Sequence, residues 1–231
     1  MTRNPIFCAI DTVDVDAARA TANKLSGLIG GIKLGLEFFT ANGCEGVRSV
    51  MADAELPLFI DLKFHDIPNT VAGAVRGISS LAPAFFTIHA GGGTAMMKAA
   101  VEAAEGRSKV LAVTILTSLS ESDMEPLGIG GKVADQVRRL ADLAQGAGVD
   151  GLVCSPHEVQ MLRQHLGSGM SLVVPGIRPA GSAADDQART LTPAEALRAG
   201  ADHLVIGRPI TASPDPAQAA KAILQSLREA A

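Results

Sequence analysis

The sequence has no tryptophan and no tyrosine, and its aromatic residues amount to 7 phenylalanines, 3% of 231 residues. So few rings argue against a protein that binds nucleic acid by base stacking. They also mean that any core must be built mainly from aliphatic side chains and alanine. Basic residues are not in excess: 20 Lys and Arg against 24 Asp and Glu leave a net charge of −4, with no broad positive surface for a phosphate backbone. The three cysteines, Cys8, Cys44 and Cys154, are odd in number and scattered, with no C-x-x-C pair. That excludes a disulfide framework and fits a reducing cytoplasm. No apolar run approaches the 18 residues of a membrane span. The short apolar start at 6–10 is stopped by Asp11, unlike the core of a secretory signal. Neither a membrane nor a nucleic acid is therefore expected as a partner.

Hydrophobic residues make up 47% of the chain, far too many for disorder. Short apolar runs at 7–10, 31–34, 58–62, 85–89, 110–115, 151–154, 172–174 and 203–206 have strand length. Between and after them lie helical patterns at 14–25, 43–54, 71–81, 96–104, 133–145, 158–166, 193–199 and 216–230. Strict alternation of this kind implies a parallel sheet covered by helices, and the uniformly apolar runs imply burial on both faces. Eight units with no linker between them match a single-domain (β/α)8 TIM barrel over 1–231. Periodicity alone leaves an open doubly wound sheet as an alternative. One long connection, 175–192, is rich in Gly, Pro and Ser and has no helical period, as lids and binding loops often do.

Charge at the C-terminal ends of barrel strands is informative, because active sites of this fold lie there. The first run ends at Asp11, the second carries Lys33, and the third runs into Asp61, Lys63 and Asp66. Side chains alternate along a strand, so Asp61 and Lys63 share the inner face while Leu62 packs outward. Buried like this, the charges must alternate in sign and pair. After the last run comes IGRPI at 206–210. Gly207 permits close backbone approach, a following helix start offers N–H donors, and Arg208 offers a guanidinium fork, together a phosphate site. Arg178 and Gln187, on the long preceding connection, add donors near it. His65 and His89 read as structural or supporting groups, and His157, His165 and His203 have no metal-ligand spacing. The glycines at 91–93 read as a tight strand-to-helix turn.

Together Asp11, Lys33, DLKFHDIPNT at 61–70, ILTSL at 115–119, PGIRP at 175–179, Gln187 and IGRP at 206–209 resemble the orotidine 5′-phosphate decarboxylase family, in its bacterial form. The resemblance runs through nearly the whole chain. It implies decarboxylation of orotidine 5′-phosphate to UMP by a homodimer of barrels with shared active sites and no metal or organic cofactor. Asp11 and Lys33 would bind ribose, Asp61 would lie beside the scissile carboxylate, and Lys63 would protonate C6. Asp66 and Thr70 would reach into the partner's site. Thr117 would hold the pyrimidine, and Arg178, Gln187, Gly207 and Arg208 the phosphate, under a closing 175–192 loop. Lys33, Asp61, Lys63 and Asp66 would form a neutral alternating array that stabilises a C6 carbanion electrostatically. The alternatives are a magnesium-dependent phosphosugar lyase of the 3-keto-gulonate-6-phosphate decarboxylase type, and a non-catalytic nucleotide-binding barrel.

Overall fold

The short Val-, Ile- and Phe-rich runs form strands that are buried on both faces, and this leaves closure into a barrel as a stable arrangement. The computed structural model describes residues 4–179 and 190–230. Its strands are β1 (Ile6–Ala9), β2 (Gly31–Gly35), β3 (Leu58–Phe64), β4 (Phe85–His89), β5 (Lys109–Val113), β6 (Gly151–Val153), β7 (Ser171–Val174) and β8 (His203–Ile206). They pair in parallel in sequence order, and β8 closes on β1. Around them lie α1 (Val15–Leu25), α2 (Leu36–Met51), α3 (Pro68–Ile78), α4 (Gly93–Ala104), α5 (Glu121–Met124), α6 (Val133–Gly146), α7 (Val159–Leu166), α8 (Pro193–Ala199), α9 (Arg208–Thr211) and α10 (Pro216–Glu229). The closed barrel removes the open-sheet alternative.

Local chemistry sets several boundaries. The Asp14 carboxylate accepts from the N–H groups of Asp16 and Ala17 and starts α1. Thr192 and Glu195 form a capping box on α8. The sequence pattern predicts that the second helix starts at Gly43, but α2 begins at Leu36. Gly35 caps it without a side chain, and Gly43 is a kink inside it, at φ 58° and ψ −160°. Gly43 is non-helical and divides α2 into two helical stretches, so the expected start at Gly43 marks the second stretch, and the first, from Leu36, is the part the pattern missed.

The barrel interior is layered by height. Phe7, Phe59 and Phe85 meet edge to face on the floor, with ring centroids 5.3–6.0 Å apart. His203 packs its ring against Phe7 and Phe85. Such ring pairs contribute about 0.5–1.5 kcal/mol each beyond the burial of their area. Gly31 makes room for them: a Cβ there would lie 2.3 Å from Cε1 of Phe7. Each of the first four strands climbs from this floor by steps of two residues. Phe7 and Ala9 lead to Asp11, Gly31 to Lys33, Phe59 to Asp61, and Phe85 to Thr87 and His89. The outward-facing residues, Leu62 among them, join a second core beneath the helices.

Candidate active site

At the C-terminal mouth the charges predicted from the sequence converge. Lys33, buried at 9% exposure, places Nζ 3.4 Å from Oδ1 of Asp11 and 3.5 Å from Oδ2 of Asp61. Lys63 Nζ lies 2.8 Å from Asp61 Oδ1. Two cations and two anions thus form a neutral chain, Asp11–Lys33–Asp61–Lys63, in which Lys33 and Asp61 are largely buried, Lys63 is partly exposed and Asp11 is exposed at the rim, so the buried ions are paired at tolerable cost. Burial by itself would raise the Asp61 pKa. Lys33 and Lys63, with hydrogen bonds from Lys63 and Thr87, outweigh that and hold Asp61 below the usual carboxylate range.

Asp61 and Lys63 do share a side, as strand alternation predicts, but through an irregular backbone. From Ile60 to Phe64 β3 takes four steps while its partner β4 takes two, from Phe86 to Ile88. Lys63 sits in this bulge at φ 50°. The other non-glycine residues at positive φ among the described residues, Ala82 and Glu105, are ordinary left-handed helix caps. Lys63 is therefore the position where a strand residue carries backbone strain.

The sequence pattern puts Asp66 in the charged array, and within one chain it does not join. Strand β3 has ended by then, and Asp66 is exposed, its carboxylate accepting the Ile67 N–H at 2.6 Å. Asp11 takes the fourth place in the array instead. Thr70, in the first turn of α3, is likewise exposed on the rim.

Two cavities meet at Lys33 and Asp61. The first, of about 170 Å³, is mainly apolar, walled by residues including Phe59, Ile115, Val153 and Cys154, with Lys63 and Thr117 supplying polar groups. The second, of about 390 Å³, contains Asp11, Arg178, Gly207, Arg208 and Thr211. Arg178 is anchored by its Nη1 on the Ile177 carbonyl at 3.1 Å, and its N–H donates to the Leu191 carbonyl at 3.0 Å. The two ends of the long connection are thus tied together at its base. Gln187 lies outside the described residues, as does the middle of the 175–192 loop. Helix α9 spans four residues, so its dipole is small and the positive charge of this cavity comes mainly from the two arginines.

Sequence reasoning missed three groups. Thr211 lines the polar cavity one helical turn beyond Arg208. Gly35 lacks a Cβ where one would lie 2.9 Å from Lys33 Nζ, so its hydrogen lets the ammonium fold over β2. Thr87, fully buried, hydrogen-bonds both Asp61 and the Lys63 backbone. The available signal was a polar residue in FFTIH with the same parity as Phe85 and His89. Those histidines also find partners. His65 stacks on His89 with centroids 5.1 Å apart, and His89 Nδ1 accepts the Gly91 N–H. Burial, then the charges of His65 and Lys63, hold His89 below the usual histidine pKa. Gly92 is wedged against Met96 and Gly93 has φ 80°, which accounts for the three glycines as a turn. Among the described residues no three His, Cys, Asp or Glu side chains are grouped as metal ligands.

Comparison with known proteins gives the same family from several directions. A curated orotidine 5′-phosphate decarboxylase from Rhodospirillum rubrum is 55% identical, covering 96% of this chain and 94% of that protein. One from Novosphingobium aromaticivorans is also 55% identical, with 97% and 99% covered. A solved orotidine 5′-phosphate decarboxylase from Lactobacillus acidophilus superposes with a TM-score of 0.85 at 33% identity, over 97% of this chain and 99% of that one. The family model described as orotidine 5′-phosphate decarboxylase / HUMPS matches residues 4–223, and the chain belongs to that family.

Proposed function

We propose that this protein decarboxylates orotidine 5′-phosphate to UMP and carbon dioxide, the last step of de novo pyrimidine biosynthesis. The observation that carries the reading is the junction of an apolar slot and an arginine-bearing cavity at the charged chain. The flat pyrimidine suits the slot beside Thr117, and the phosphate suits Arg178 and Arg208, with Gly207 leaving the backbone open beside them. The ribose between them lies along Asp11 and Lys33. C6 and its carboxylate then face Asp61 and Lys63.

In the chemical step the bond from C6 to the carboxylate carbon breaks, its electron pair stays on C6, and carbon dioxide leaves. The carbanion takes a proton from the Lys63 ammonium, which is replenished from solvent. The geometry required is a cation held against C6 before charge develops, which is electrostatic preorganisation. Asp61 fixes that cation at 2.8 Å and is itself fixed by Lys33 from the other side. Binding energy from the remote phosphate, gathered as the 175–192 loop closes, is available to offset the cost of desolvating this charged site.

The working unit in this reading is a homodimer. Val13, Leu36, Ile67 and Leu116 are exposed apolar residues that all follow C-terminal strand ends, and Asp66 and Thr70 flank Ile67. A second copy would cover this rim and receive Asp66 and Thr70 into its own site. The three free thiols support a reducing, cytoplasmic setting. No described helix is long and apolar enough to cross a membrane.

The test is to follow loss of orotidylate absorbance with purified protein, with and without a chelator. Turnover that survives the chelator supports the proposal. Turnover lost to the chelator favours a magnesium-dependent lyase, and UMP binding without turnover favours a binding protein. For the shared site, Lys63→Ala and Asp66→Ala chains are mixed. Random pairing gives half mixed dimers, each with one intact site, so about a quarter of wild-type activity returns. No recovery in mixed dimers shown to form would put Asp66 in its own chain's site.

A further inference from the structure

We propose that Thr87 is a positioning residue for the decarboxylation, a hydroxyl clamp that holds the β3 bulge so that Lys63 and Asp61 both face C6. The inference rests on the decarboxylase reading above.

Three observations support it. First, the Thr87 side chain is fully buried at the level of the charged chain, one step above Phe85 on β4. Its Oγ1 accepts the Lys63 N–H at 2.9 Å and lies 2.9 Å from Asp61 Oδ1. A hydroxyl has one proton. The amide can only donate and the ionised carboxylate can only accept, so the hydroxyl accepts from the first and gives its proton to the second. Second, the amide it satisfies belongs to the residue at φ 50° in the bulge. Over these residues the regular β3–β4 ladder is interrupted, and a buried N–H left without an acceptor is costly. The hydroxyl takes that place and makes the strained backbone tolerable. Third, the Asp61 oxygen that Thr87 touches is the one that receives Lys63 Nζ at 2.8 Å. One side chain therefore fixes Lys63 from its backbone and, through Asp61, from its ammonium. The charged groups facing Asp61 are Lys33 and Lys63, with Asp11 beyond Lys33.

A clamp of this kind acts on turnover more than on substrate affinity, because the phosphate and ribose contacts come from other strands. The test uses two substitution pairs that differ in the hydroxyl at nearly constant shape: wild type against Thr87→Val, and Thr87→Ser against Thr87→Ala. For each protein kcat, KM, the pH profile of kcat and the dissociation constant of UMP are measured. In Thr87→Val, kcat falls about 10- to 100-fold, while UMP binding stays within about threefold. The acid limb of the profile moves to higher pH, since Asp61 has lost a donor. Thr87→Ser returns most of the turnover and Thr87→Ala does not. If Thr87→Val fails to fold, the Ser and Ala pair reads the same hydroxyl. The clamp is overturned by wild-type kcat in Thr87→Val, by equal losses in Ser and Ala, or by a loss confined to KM and UMP affinity. Absence of turnover in the unmodified chain would sink the decarboxylase reading instead, so the two failures are distinct.

Discussion

Removing one arginine from the polar cavity separates recognition of the phosphate from the chemistry. Arg208 is the first residue of α9 and shares the cavity with Arg178, whereas Lys63 lines the other cavity. Arg208→Ala leaves the charged chain intact and removes a guanidinium fork from the cavity proposed to hold the phosphate. A hydrogen bond to a charged group contributes about 1.5–3 kcal/mol, and about 1.4 kcal/mol corresponds to a factor of ten. The variant should lose about 10- to 150-fold in kcat/KM for orotidine 5′-phosphate. The control is orotidine, which lacks the phosphate. It should react far more slowly with the wild-type protein, in turnover as well as binding, because it lacks the remote group whose binding energy would be available to the chemical step. Its kcat/KM should be the same for wild type and Arg208→Ala. The four constants form a cycle whose coupling energy belongs to the arginine–phosphate contact alone. If the substitution slows both substrates equally, Arg208 serves the fold or the chemistry and the assignment of the polar cavity to phosphate is refuted.

Three further outcomes follow from local geometry. His89 in the folded chain takes a proton only below the ordinary histidine value of about 6.5, so the unfolded state holds more protons in that window and stability falls as pH drops through it. His89→Asn, which keeps an acceptor for the Gly91 N–H, should flatten the slope in denaturant titrations between about pH 7 and 5, and an unchanged slope would remove His89 as the source. Burial, reinforced by Asp11 and opposed by Lys33, pushes the Cys8 thiol up to about 12, and burial raises Cys154 as well. A thiol reagent should therefore label at most Cys44 quickly in the folded protein and all three thiols after unfolding; fast labelling of Cys8 or Cys154 would contradict the burial. Gly31→Ala brings a methyl to 2.3 Å from the Phe7 ring and 2.5 Å from the Pro57 carbonyl, costing about 1–3 kcal/mol in chemical unfolding. Gly35→Ala instead displaces only the mobile end of Lys33, so it should lower turnover with little change in melting temperature, and the reverse result would refute the distinction.

The fold was largely legible because burial on both faces leaves short uninterrupted apolar runs. The runs at 85–89 and 203–206 end where β4 and β8 end. What failed was punctuation. Gly35 starts α2 without a capping side chain, so the stretch before the break at Gly43 carried no start signal, while the stretch after it did. In the site, Asp11, Lys33, Asp61 and Lys63 were readable from charge at strand ends. The bulge was not, because D-L-K reads as plain alternation whether or not the partner strand keeps step. Asp66 lies beyond the end of β3 and outside its own chain's array, so its expected place in a partner's site rests on the resemblance and not on a strand pattern. Thr87 gave little warning, since threonine is an ordinary strand residue. The amide it meets, that of Lys63, lies three strand positions beyond the last regular pair, Ile60 with Phe86, which no single-strand pattern encodes.

The scarcity of rings acquires a position once the interior is seen in layers. Three of the seven phenylalanines are spent on the barrel floor, directly below the charged chain. Phe59 is both a floor residue and a wall of the apolar cavity, with Asp61 next above it on the same face. A dry floor matters electrically. The attraction that holds Lys33 and Lys63 on Asp61 weakens in proportion to the local dielectric, and water beneath the chain would screen it. Phenylalanine fills that layer without a hydroxyl or an indole N–H of its own, and His203 is the polar ring packed against it. Aromatic stacking above the floor is unnecessary if the proposed pyrimidine site is the apolar cavity, which is walled by Ile115 and Val153 with the charges at its edge. A composition almost without rings is thus compatible with nucleotide chemistry, provided that the few rings present lie where they exclude water from the ions.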